Sequence, residues 1–130
     1  MVALLSIKPK YVEKIFSDEK LYEYRKVIFR KKVEKVIVYS TMPVGMIVGE
    51  FDIDSVLFDC PTELWNKTKN SSGVEETFFQ EYFQGKEKGY AIKIGNKKKY
   101  DEPINPRDLF DSFIAPQSFV YLSEYEGKFV

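Results

Sequence analysis

The stretch VALLSIKPKYVEKIFSDEKLYEYRK, residues 2–26, decides how this chain reads. It opens on Val2-Ala3-Leu4-Leu5-Ser6-Ile7, a short apolar run with the character of a buried strand. Pro9 then suits the first turn of a helix, and Tyr11, Val12, Ile15 and Phe16 give that helix an apolar side. Asp18 and Glu19 end it. Leu21-Tyr22-Glu23-Tyr24-Arg25-Lys26 alternates apolar or aromatic residues with polar ones, the period of a half-buried strand. Lys20 stands at the helix-to-strand junction. Glu23 and Arg25, two apart on a strand, share one face. An acceptor beside a fork-shaped donor can read a nucleobase or ribose edge, with Lys20 adding charge next to a phosphate or carbonyl. The same alternation also describes a plain surface ion ladder.

Outward from this stretch, strands dominate. Lys35 to Ser40 reads as a strand. Pro43-Val44-Gly45 marks a turn, and Met46 to Leu57 reads as a long strand with Gly49 as a bend or bulge. Pro61 to Trp65 opens a short helix that Asn70 to Gly73 stops. Glu75 to Phe83 is a further helix, with Phe78, Phe79, Tyr82 and Phe83 offering one greasy side, ended near Gly85. These form a helical insert at about 61–85. Tyr90 to Ile94 is a strand, Gly95-Asn96 reads as a turn, and Lys97-Lys98-Lys99-Tyr100 as a basic edge strand. From Asp101 to Ala115 the expectation is loop, with a helical turn at Pro106 to Phe110. Ser118 to Leu122 is the last strand. This order argues for a single α+β, mainly β domain over 1–130, a small barrel flanked by short helices, not alternating parallel β/α units.

The 130 residues suffice for one sizeable core. One cysteine, Cys60, and no histidine leave no intramolecular disulfide, none of the usual zinc sites and no histidine base. Catalysis would fall to Lys, Glu, Asp, Tyr, Ser or Thr. No Gly-rich phosphate loop or Walker motif is present, which argues against ATP or dinucleotide binding; neither cofactor nor metal is expected. Lys8 and Lys10 interrupt the first apolar run far short of a membrane span, and a cytoplasmic, membrane-free protein is expected. The net charge is zero, yet residues 1–40 hold ten Lys/Arg against five Asp/Glu, and residues 41–85 two against eight. A basic face and an acidic segment can therefore coexist on one small domain.

Five further groups of residues are candidate ligand contacts. Lys8 precedes a helix start, where a cation is mildly wrong for the helix dipole. Ser40 and Thr41 end a strand before a Pro-Gly turn, and Gln117 and Ser118 enter the last strand. Hydroxyls at such turns also cap local backbone groups. Tyr22, Tyr24 or Tyr90 are candidates to stack a base, with core packing as the alternative for each. Lys97 to Lys99 either track a phosphate backbone or guard an edge strand.

Leu5-Ser6-Ile7-Lys8-Pro9, a short helix, and then a Gly-x-Lys-x-x-Glu-x-Arg pattern resemble the ASCH-domain family of the PUA-like superfold. Lys20, Glu23 and Arg25 meet the pattern, with Asp18 where glycine is usual. Tyr39-Ser40-Thr41, the Gly45 to Phe51 segment and Pro116-Gln117-Ser118-Phe119 are similar too, so the resemblance runs from about residue 3 to residue 122. It implies a PUA-like β-barrel with a cleft lined by the Lys-x-x-Glu-x-Arg motif. It further implies binding of RNA, single-stranded or structured, or of a nucleotide-like small molecule, linked to translation or transcription control. Some family members hydrolyse acylated nucleosides or RNA. In that amidohydrolase branch a threonine stands where this chain has Glu23.

Three functions follow as expectations. The first is a binding module in which Lys8, Lys20, Arg25 and Ser40 meet phosphate or a base edge, Glu23 accepts from an exocyclic amine, and Gln117 and Ser118 close the cleft. The second is a hydrolase with Lys20 as base or nucleophile and Glu23 or Glu50 shuttling a proton. The third is a protein-interaction domain that docks through the acidic insert, Pro61 to Phe83.

Overall fold

In the computed structural model, residues 1–124 are described. Strand β1 (Val2–Ile7) leads into helix α1 (Pro9–Phe16), then β2 (Tyr22–Arg25), β3 (Lys35–Ser40) and β4 (Met46–Asp59). Helices α2 (Pro61–Thr68) and α3 (Glu76–Tyr82) follow, then β5 (Gly89–Ile104) and β6 (Phe119–Tyr121). All six strands join one sheet in the order β2-β5-β4-β3-β1-β6. β1 and β3 run parallel, and the other neighbours are antiparallel. The sheet curls into a half-barrel, so the fold is α+β and mainly β, as the sequence indicated.

The alternation of β1 explains its central place. Ala3, Leu5 and Ile7 point into the largest core cluster, where Val12 and Ile15 of α1 meet Val36, Val38, Phe51 and Ile92 of the sheet. Leu4 points the other way, into a second cluster with Tyr39, Ile47 and Phe110. β1 is buried on both faces, which is why it reads as a continuous apolar run. A third cluster sets Leu64 of α2 and Phe79 of α3 against Tyr24, Ala91 and Phe83.

Helix α1 ends in a Schellman motif that aims the next residues. Glu19 N–H donates to the Lys14 carbonyl at 3.0 Å and Asp18 N–H to that of Ile15 at 3.4 Å. Asp18 takes the left-handed position at φ 68°, the place where glycine is usual and where aspartate is among the better-tolerated substitutes. The reversal delivers Lys20 to the start of β2.

Two boundaries differ from the sequence reading. Gly95-Asn96 is no turn: β5 runs unbroken for 16 residues, through the expected loop start at Asp101 to Ile104. Lys97 pairs with Phe51 and Ile94 with Ile53, so Gly95 and Asn96 together oppose Asp52 alone. That is a β-bulge, which uses the same permissive residues as a turn. A Cβ on Gly95 would lie 3.2 Å from the Asp52 carbonyl oxygen. The expected irregularity near Gly49 is present as register shifts on both sides of that strand segment. Lys97 to Lys99 pair along β4, and the Lys97 ammonium is ion-paired with Asp18.

Candidate functional site: a cavity at the seam of the half-barrel

β2 and β6 are the two edges of the sheet, and β1 lies beside β6. Curling brings β2 towards the β1–β6 edge, and Arg25 bridges the gap with hydrogen bonds in place of a strand ladder. Its Nη1 donates to Ser118 Oγ at 3.1 Å and to the Ser118 carbonyl at 3.5 Å, and its Nη2 donates to the Ser6 carbonyl at 3.0 Å. Glu23, on the same face of β2, takes the remaining donors, with Nε at 3.1 Å and Nη2 at 2.9 Å from Oε2. Ser6 fixes the far bank: its Oγ donates to the Pro116 carbonyl at 2.6 Å and its N–H to that of Ser118 at 3.1 Å. The ladder of charge expected on a surface is therefore an inward-facing brace. Both Glu23 and Arg25 are buried.

Lys20 is buried more deeply, at 2% exposure. Its Nζ donates to the Ser72 carbonyl at 3.1 Å and lies 3.8 Å from Glu23 Oε1. Aromatic faces supply the rest of its surroundings, Tyr24 with its centroid at 4.7 Å and Tyr11 at 5.6 Å. The segment before α3 packs directly on its stem. Gly73, at φ +68°, lies so close that a Cβ there would sit 2.4 Å from Lys20 Cβ. Lys14 holds that segment by donating to the Gly73 carbonyl at 3.1 Å. Burial lowers the Lys20 ammonium to about 8; Glu23 opposes this, while Arg25 and Lys14 add to it.

A cavity of about 650 Å³ opens over this brace. Its floor holds Lys20, Glu23, Arg25 and Ser118. Lys8, Lys26 and Gln117 stand exposed at its mouth. One wall is aromatic. Tyr11 and Phe78 lie with ring centroids 5.3 Å apart, Phe78 and Tyr82 stack at 6.1 Å and 16°, and Lys26 extends over the Tyr82 ring at 4.7 Å. Burial raises the Tyr11 and Tyr82 phenols. Burial also pushes Tyr24 up to about 12.

Six of the eight residues singled out from sequence come together here: Lys8, Lys20, Glu23, Arg25, Gln117 and Ser118. Ser40 and Thr41 do not. Ser40 is buried where β3 pairs with Ile7 and Met46, and it borders a smaller cleft of about 180 Å³ between α1 and the sheet. Thr41 closes a turn, its N–H on the Ile7 carbonyl and its carbonyl accepting from Val44. Glu50 is also away from the cavity, held by Lys35 at 2.7 Å and Tyr100 at 2.8 Å. Of the tyrosines considered for stacking, Tyr24 borders the cavity, but its hydroxyl is spent on Thr68 at 2.6 Å. Tyr22 packs with the helices, and Tyr90 pairs with Phe58.

The sequence reading missed Tyr11, Phe78, Tyr82 and Lys26. Phe78, Phe79, Tyr82 and Phe83 read as one greasy helix side, yet only Phe79 and Phe83 are buried, while Phe78 and Tyr82 face the cavity. Among the described residues, no three His, Cys, Asp or Glu side chains gather closely enough to hold a metal ion.

Residues 3–114 match the family described as a domain of unknown function (DUF365). The large ribosomal subunit protein uL22 of Ureaplasma parvum serovar 3 is 33% identical over 122 residues, which cover 92% of this chain. The chain spans only 38% of that protein's length. An ASCH domain-containing ribonuclease of Zymomonas mobilis is 24% identical over 133 residues, covering 97% of this chain and 87% of that one. The crystal structure of ASCH from Zymomonas mobilis superposes with a TM-score of 0.85 at 23% identity, over 92% of this chain and 86% of that one. The chain belongs to the family described as a domain of unknown function (DUF365), and its fold is the ASCH, PUA-like one that the motifs around Lys20, Glu23 and Arg25 resemble.

Proposed function

We propose that the chain binds RNA and takes one unpaired nucleotide of it into the seam cavity. The observation that carries this reading is the pairing of an aromatic wall with a polar floor in one cavity of nucleotide size. Every base has a π-face to set against Tyr11, Phe78 and Tyr82, and such stacking contributes about 1–3 kcal/mol per base. Gln117 and the Ser118 hydroxyl offer donors and Glu23 an acceptor to the base edge, which only an unpaired base exposes in full. The relative named as a ribonuclease, similar along almost the whole chain, supports RNA as the ligand.

A second reading, hydrolysis of RNA or of a modified nucleoside, is favoured by Lys20. With its ammonium lowered to about 8, roughly a tenth of the molecules hold a neutral amine at pH 7. Such an amine can accept a proton from an attacking hydroxyl.

Titration with short single-stranded RNA, duplex RNA and free nucleosides at two salt concentrations tests the binding reading. Single-stranded RNA is expected to bind most tightly, and Phe78→Ala or Tyr82→Ala to weaken it by about 1–3 kcal/mol. Wild-type protein that binds no RNA, or prefers the duplex, would overturn it. RNA cleavage that Lys20→Met abolishes while binding persists would establish the second reading in its place.

A further inference from the structure

We infer that the cavity holds its nucleotide with a phosphate on either side, one on Lys8 and one on Lys26, so that it takes an internal nucleotide of a strand and not a free nucleoside. The inference rests on the RNA-binding reading and names the ligand class for the same site. Its basis is an imbalance of charge. Four cations line the cavity, Lys8, Lys20, Arg25 and Lys26, against one carboxylate, Glu23. Two of the four are already committed: Lys20 gives its proton to Ser72, and Arg25 is engaged by Glu23, Ser6 and Ser118. Lys8 and Lys26 differ in kind. Both are exposed, and neither has a carboxylate within ion-pair distance among the described residues.

Their positions match what a strand passing over the mouth requires. Lys8 follows the last residue of β1 at the entry to α1, and Lys26 follows the last residue of β2. These are the two banks that Arg25 ties together, so the lysines approach the cavity from opposite sides of the seam. Lys26 is further held by its reach across the Tyr82 ring, beside the wall on which a base would stack. Exposed cations continue outward from each: Lys10 on the α1 side, and Arg30 and Lys32 in the loop after β2. That loop is anchored over β6, with Phe29 edge-on to Phe119 at 4.8 Å and the Arg30 N–H on the Tyr121 hydroxyl at 2.9 Å. A nucleoside alone would leave both mouth lysines without a counter-ion.

Calorimetric titration with the four ribonucleosides, their 5′-monophosphates, 3′-monophosphates and 3′,5′-bisphosphates tests this, on wild type, Lys8→Ala and Lys26→Ala. Both side chains are exposed, so both variants are expected to fold. In wild type each phosphate is expected to raise affinity roughly fivefold, the scale of an exposed ion pair. Each variant is expected to lose the gain from one phosphate, and the two variants to lose different ones. Nucleosides that bind as well as bisphosphates would overturn the inference and leave RNA binding standing; so would variants that lose both gains equally. Failure of every compound and of short single-stranded RNA would instead bring down the RNA reading itself.

Discussion

Replacing Lys20 by methionine converts the burial of one ammonium into a measurable pH dependence. In water the group has a value of 10.5, and in the fold it is lowered to about 8, mainly by loss of water and in spite of Glu23. A difference of about 2.5 units corresponds to on the order of 3 kcal/mol by which the fold disfavours the charged form. Below pH 8 both the folded and the unfolded chain carry the proton, so this cost is present in full and does not change with pH. Between pH 8 and 10.5 the unfolded chain keeps a proton that the folded chain has released, and stability must rise with pH. Tyr11, Tyr24 and Tyr82 act in the opposite sense above pH 10, because their raised phenols stay neutral in the fold while the unfolded chain ionises. Those tyrosines are present in both proteins, so the difference between wild type and Lys20→Met isolates the lysine. Urea unfolding of both at pH 7, 8, 9 and 10 is the assay. The stability of wild type relative to the variant is expected to climb by about 2 kcal/mol from pH 8 to pH 10. A difference that stays flat over that range would refute the claim that Lys20 titrates as a desolvated amine.

Gly73→Ala is expected to destabilise by on the order of 3 kcal/mol, because it adds a left-handed alanine and a contact inside the radius of Lys20 Cβ. Gly85→Ala separates the two effects: φ is +81° there, but nothing lies within 4 Å of a new Cβ, so only about 1–2 kcal/mol is expected. Equal losses at the two sites, read from denaturant midpoints, would show that the segment before α3 does not press on Lys20. Tyr24→Phe removes the bond to Thr68, whose own hydroxyl proton is already given to the Leu64 carbonyl at 2.7 Å. A loss of about 1 kcal/mol in thermal unfolding is expected, and a neutral result would mean that this hydroxyl pair contributes nothing.

The strands and helices were legible because their signals are local. The apolar run of β1, Pro9 at the start of α1 and the alternation from Tyr22 to Arg25 each need only a few neighbouring residues. The Lys20, Glu23, Arg25 cluster was legible for the same reason, since a two-residue spacing on a strand fixes a shared face. Gly95-Asn96 misled because a bulge and a turn both ask for a permissive backbone. Only the partner strand distinguishes them, and Asp52 is more than forty residues away in the chain. The aromatic wall failed for a related reason. Phe78, Phe79, Tyr82 and Phe83 cover more of the helix surface than one core contact can bury. The sequence does not say which half of that surface meets Leu64 and Ala91 and which half meets open space.

Closing a half-barrel with a guanidinium in place of a strand ladder has a chemical consequence. A ladder would saturate the backbone on both edges and leave no room between them. Arg25 spans the gap with directional bonds, and the space above it remains open as the cavity. The brace must itself be neutralised, since removing one partner of a buried pair leaves an uncompensated charge at a cost of about 3–5 kcal/mol. Glu23 does this, and in doing so it fixes the polarity of the floor. Buried groups so fully committed to one another are poor sources of new affinity, because each would have to give up a protein partner to gain a ligand. Orientation of a ligand is therefore the task of the floor, and attraction that of the exposed lysines and the rings at the mouth. On that division, substitutions in the brace should alter which ligand is accepted and whether the chain folds, while substitutions at the mouth should alter how tightly it is held and how steeply that depends on salt.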